Sequence, residues 1–102
     1  MWLVASFDLP AEDTTDAKRY RLLRKTILAA GFSFVQRSVA WRWCVDREQS
    51  AGVVGRIRKA IPQKGDVLFL QMSDASFGTM IHVTDGESRN PPSPPDPWLI
   101  FS

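Results

Sequence analysis

The chain opens on a run rich in apolar and aromatic residues, Trp2 to Asp8, with no Gly or Pro inside it. Such a run reads as a buried strand, and Pro10 ends it. The period then lengthens to that of a helix. Thr14 or Thr15 offers an N-cap with Asp16 in the first turn, and Ala17, Tyr20, Leu23, Ile27 and Ala30 recur at helical spacing until Gly31 supplies the stop. Phe32 to Cys44 returns to Phe, Val and Trp, a composition that suits one bent strand or two in series. A second cap at Asp46 leads into Val53, Ile57 and Ile61, spaced i, i+4, i+8 and followed by Pro62 and Gly65. This predicts a second amphipathic helix, weakened by Gly52 and Gly55. Val67 to Ser73 reads as strand, Asp74 to Gly78 as a turn, and Thr79 to Thr84 as another strand.

The order βαββαβ is that of an α+β, ferredoxin-like domain, with both helices on one face of an antiparallel sheet, here over residues 1–85. Residues 86–97 hold five prolines between positions 91 and 97, which favour an extended linker over a packed core. Residues 98–102 close the chain with the apolar tetrad Trp98, Leu99, Ile100 and Phe101, costly to leave in water. Leu3, Ala5 and Phe7 alternate with Trp2 and Val4, and Phe69 with Leu68 and Leu70, so these strands are apolar on both faces. Helices cover only one. A second copy stacked sheet against sheet would cover the other, with the C-terminal tetrad reaching it as an added strand, so the expectation is a homodimer.

Composition narrows the classes. At 102 residues, with 44% hydrophobic and 24% charged, the chain is too short for a multidomain enzyme and too ordinary for a disordered or fibrous one. One cysteine, Cys44, excludes an internal disulfide and a thiolate zinc site and suits a reducing cytosol. The apolar start lacks a basic n-region and a cleavage site, and no apolar run approaches the roughly 18 residues of a spanning helix. The expectation is therefore a cytoplasmic protein with no membrane partner. The net charge of +2 conceals a division along the chain. Residues 1–64 hold twelve of the thirteen Lys and Arg against six acids, whereas residues 65–102 hold Arg89 against five acids. A basic half of this kind collects phosphates.

Among the residues able to carry chemistry, Asp8 stands out because it follows directly on a buried strand. A carboxylate on a rigid element is a hard oxygen ligand for Mg²⁺ or Mn²⁺, or else a cap for the turn that follows. Alone it makes a poor metal site, but a two-fold axis near it would bring two carboxylates to one ion. On the first helix Lys18, Arg21 and Lys25 fall at i, i+3, i+7, with Arg19 and Arg24 beside them, and no acid on that face is placed to offset them. This basic ridge suits phosphate contact. Arg37 and Arg42 flank the central strand among Trp41 and Trp43, a mixture for backbone contact or base stacking. The sole histidine, His82, has no second ligand at a useful spacing and cannot support a Ser-His-Asp triad. No Gly-rich phosphate loop occurs, which argues against nucleotide-triphosphate hydrolysis.

Several segments together resemble a known family. They are Met1-Trp2-Leu3-Val4 leading into Phe7-Asp8-Leu9-Pro10, a basic first helix ending Gly31-Phe32, Gln36-Arg37-Ser38-Val39, Gly65-Asp66-Val67 after Pro62, and Asp74-Ala75-Ser76-Phe77-Gly78. This pattern is similar to that of the small CRISPR-associated adaptation nuclease, the non-integrase partner of the spacer-acquisition pair. The resemblance implies a ferredoxin-like homodimer with a C-terminal strand crossing to the partner. It implies that Asp8 is the metal-binding, catalytic position, paired with its symmetry mate on Mg²⁺ for phosphodiester hydrolysis. It also implies a scaffold that holds duplex DNA and bridges dimers of a CRISPR integrase subunit. Ala5 and Ser6 depart from the family's bulkier aliphatics before Phe7, and Arg37 stands where many members carry tyrosine. Two other classes fit the same residues: a free-standing toxin-like ribonuclease acting on single strands, and a non-enzymatic RNA-binding module that uses Trp41 and Trp43 as stacking platforms.

Overall fold

Strand β1 (Trp2–Asp8) runs through the middle of a four-stranded antiparallel sheet in the computed structural model, which describes residues 1–9 and 14–96. It pairs with β3 (Val39–Trp43) on one side and β4 (Asp66–Met72) on the other, while β2 (Ser33–Gln36) flanks β3. The order β2-β3-β1-β4, with α1 (Thr14–Ala29) and α2 (Arg47–Arg58) on one face, is the ferredoxin-like arrangement expected from the sequence. The segment from Phe32 to Cys44 is two strands folded into a hairpin, with Arg37 and Ser38 between them and a register shift between Phe34 and Gln36. Pro10 and Trp98 to Phe101 lie outside the described residues. None of the described helices is long and apolar enough to cross a membrane.

The strand alternation divides the core. Leu3, Ala5 and Phe7 face the helices and pack with Leu23, Ile27, Ala40, Val53 and Ile57, all nearly or wholly buried. Helix α1 ends in a paired cap, the Gly31 amide donating to the Leu28 carbonyl and the Phe32 amide to the Ile27 carbonyl. Gly31 supports this with φ of 89°, a backbone that favours glycine. Helix α2 begins on Asp46, whose carboxylate accepts from the Gln49 amide at 2.8 Å. Inside α2, buried Ser50 accepts from the Gln71 side-chain amide at 3.0 Å, so its hydroxyl is satisfied beneath the sheet.

Trp2 and Val4 face the other way, and the chain covers part of that second face itself. The residues expected as a turn form a short helix, α3 (Asp74–Gly78), capped by Ser73. Its Phe77 is buried, stacked on Trp2 at 4.2 Å and meeting Trp41 edge-on at 5.1 Å. Asp74 ties α3 to the sheet: its carboxylate accepts from the Trp43 indole at 3.1 Å and pairs with the Met1 amino group at 3.1 Å. The Trp2 indole nitrogen is buried without a hydrogen-bond partner. The expected strand from Thr79 to Thr84 is shorter, β5 (His82–Thr84), and it pairs with β6 (Glu87–Arg89). The turn between them is Asp85-Gly86, both at positive φ, as a tight two-residue hairpin requires. The hairpin thus takes up residues counted to the linker, and the stretch without regular structure is 90–96.

Candidate nucleic-acid and metal site

Asp8 ends β1 on the face that α3 leaves open. In the antiparallel register it lies directly opposite Asp66, the first residue of β4. Both carboxylates are exposed, and they share a shallow cleft of roughly 270 Å³ with Ser6, Ser38 and Leu68. Asp66 escapes a reading of the sequence alone. Its position before an apolar run mirrors that of Asp8 after one, but only strand register makes them neighbours. Among the described residues no three His, Cys, Asp or Glu side chains gather as metal ligands.

A larger cleft of roughly 580 Å³ opens on the other side of Asp8, between the first turns of α1 and the β2–β3 turn. Tyr20 spans it, its hydroxyl donating to the Arg37 carbonyl at 2.7 Å and its ring tilted against Phe7 at 5.8 Å. Arg21 from α1 and Arg37 from the turn both line this cleft and are exposed, so the fold brings two of the expected phosphate-binding residues beside Asp8. Further along the exposed side of α1, Lys18, Arg19, Arg21 and Lys25 surround Leu22 in a second groove. Asp16 pairs with Arg19 at 4.0 Å across an i,i+3 spacing, so, contrary to the expectation, an acid offsets part of the ridge. Arg24 is set apart from the ridge, lying over the Phe34 ring at 4.1 Å.

Arg42 does not join the group. It is on the helix face of β3, where Nη1 donates to the Ala30 carbonyl at 2.7 Å and closes the end of α1. Trp41 and Trp43 also have other partners, in the cluster beneath α3. Cys44 is buried, and burial pushes its thiol above the ordinary range, with Arg42 pulling partly the other way. His82 sits in the β5–β6 hairpin with Thr84 Oγ1 at 3.1 Å from Nε2, and lines neither cleft at Asp8.

Comparison with known proteins identifies the chain's relatives. The family model for CRISPR associated protein Cas2 matches residues 1–80. A protein of Parvibaculum lavamentivorans named CRISPR-associated endoribonuclease Cas2 is 38% identical over 91 residues, covering 89% of each chain. A protein of the same name from Flavobacterium psychrophilum is 36% identical over 80 residues, covering 78% of this chain and 70% of its own. The crystal structure of Streptococcus pyogenes Cas2 superposes with a TM-score of 0.58 at 22% identity, over 72% of this chain and 87% of that one. On the extent of these matches, the chain belongs to the Cas2 family of CRISPR-associated proteins.

Proposed function

We propose that the protein is a dimeric scaffold of CRISPR spacer acquisition that holds duplex DNA on the basic ridge of α1 and bridges subunits of the CRISPR integrase. We further propose that it hydrolyses phosphodiesters at a Mg²⁺ site built on Asp8. The observation that carries the reading is the placement of Asp8. It stands exposed on the uncovered part of the sheet, with Arg21 and Arg37 in the adjoining cleft and with Leu68 and Leu70 exposed on the same face. A second copy packed on that face would bury the leucines and bring the two Asp8 carboxylates toward one axis.

The donor set suits a hard cation. Asp8 and Asp66 offer carboxylate oxygens, and Mg²⁺ takes few protein ligands, keeping waters and substrate phosphates for the rest. When bound, such an ion neutralises developing phosphate charge and activates a water. The remaining work falls to the chain. Asp8 on its rigid strand end would hold the ion, and the Arg21 and Arg37 guanidiniums would orient the phosphates at the adjoining cleft. The name endoribonuclease carried by the relatives makes RNA the first substrate to test.

Asp8→Asn should abolish Mg²⁺-dependent cleavage of single-stranded RNA and of DNA, a loss on the order of a hundredfold or more. Thermal melting and duplex binding in EDTA should stay as in the parent protein. Undiminished cutting by a clean preparation of that variant would sink the hydrolytic reading.

A further inference from the structure

We infer that the cleft between α1 and the β2–β3 turn is a pocket for one unpaired nucleotide, with its phosphate on Arg21 and Arg37. The inference rests on the hydrolytic reading of Asp8 only for what such a nucleotide does there; the pocket itself is argued from its own walls. At roughly 580 Å³ the cleft falls within the size range of sites that take small ligands. A base held in a duplex cannot enter a space walled by one helix and one turn, whereas a nucleotide from a single strand, or one swung out of a helix, can.

Arg21 and Arg37 are exposed at the cleft and form no ion pair among the described residues, so both guanidiniums keep their donors for a phosphate. Tyr20 is held by its hydrogen bond to the Arg37 carbonyl, which fixes the aromatic wall before a ligand arrives and ties it to the turn that carries the second arginine. Ala17 is half-buried in the wall, and its small side chain leaves the room that a larger residue would take. Ser38 and Asp8 add polar groups, where a ribose hydroxyl or an exocyclic amine finds acceptors. Arg21 and Arg37 stand on opposite walls, and Tyr20 and Ala17 lie within about one turn of Arg21 on α1, so cations and an apolar surface fall within the span of one nucleotide. Inorganic phosphate alone would use only the cations.

The test is calorimetric titration of the full chain in EDTA with adenosine 5′-monophosphate, inorganic phosphate and adenosine. The nucleotide should bind saturably and more tightly than either part. Arg37→Ala should weaken it roughly tenfold or more, the loss of a charge-assisted contact. Ala17→Leu should weaken nucleotide binding while leaving phosphate binding in place. Should Ala17→Leu melt early, Arg21→Ala serves as the second variant and should match Arg37→Ala. Absence of saturation, phosphate binding as tightly as the nucleotide, or affinity untouched by these substitutions would each overturn the pocket. The two readings separate cleanly. Cleavage lost in Asp8→Asn without nucleotide binding overturns the pocket alone, whereas nucleotide binding with cleavage unchanged in Asp8→Asn supports the pocket and removes the hydrolytic role.

Discussion

Arg42 donates from Nη1 to the Ala30 carbonyl and from Nε to the Trp43 carbonyl, and both contacts are partly buried. Arg21 and Arg37, identical in chemistry, stand exposed beside Asp8. In a linear reading Arg37 and Arg42 flank one strand among Trp41 and Trp43, and Arg21 belongs to the basic helix. Alternation along β3 turns the Arg42 side chain to the helix face, where the end of α1 presents unpaired carbonyls that a guanidinium satisfies. Arg42→Ala should therefore destabilise the protein by about 1–3 kcal/mol and leave duplex affinity unchanged, as chemical denaturation and fluorescence anisotropy would read. Equal stability with weakened binding would place Arg42 in the nucleic-acid surface after all. Asp8 was legible at this scale, because a carboxylate ending an apolar run is visible without coordinates. Asp66 was not, since its pairing with Asp8 is a matter of strand register across 58 positions of chain.

Among the elements, α1 and α2 were legible because apolar residues repeat at helical spacing in each, and the buried Leu23, Ile27, Val53 and Ile57 are among the positions the spacing picks out, although α2 ends at Arg58, before the expected Ile61. The shorter elements were not. Helix α3 has five residues, too few for a periodic stripe, although Ser73 stands at its cap position. The β2–β3 turn carries Arg37-Ser38 instead of glycine or asparagine, so one bent strand and a hairpin looked alike. The Asp85-Gly86 turn was masked by the prolines that follow. What α3 contributes is cover for Trp2 and Trp41 through one residue. Phe77→Ala should destabilise by about 3–5 kcal/mol, by loss of buried aromatic surface and the cavity left behind, with Phe77→Leu costing distinctly less. Denaturation midpoints near that of the parent for Phe77→Ala would mean that α3 does not hold this face closed.

At the scale of the whole molecule two surfaces remain. Leu68 and Leu70 are 61% and 51% exposed on the open half of the sheet, and β4 is an edge strand; both features favour a second copy. Light scattering should give twice the 11.5 kDa chain mass, and Leu68→Glu with Leu70→Glu should return it to the monomer without unfolding the helix-side core. A parent protein that stays monomeric at micromolar concentration would discard the dimer. The other surface is the α1 ridge. Replacing Lys18, Arg21 or Lys25 by alanine should weaken duplex binding for every sequence and lower the salt slope by about one unit per lost contact. An unchanged slope in a salt series would move the DNA surface elsewhere.

The linear pattern by itself determined the alternation of strand and helix segments, the apolar stripe of each long helix, the basic character of α1 and the placement of a carboxylate at the end of β1. These follow from local periodicity and from the charge of neighbouring residues, which need no knowledge of distant chain. Tertiary structure alone decided that Asp8 lies opposite Asp66, that Arg37 joins Arg21 while Arg42 caps a helix, and that α3 covers part of the second sheet face. Each of those depends on strand register or on which face a residue meets. A shift of one residue in register would separate Asp8 from Asp66 and turn Arg42 away from the end of α1.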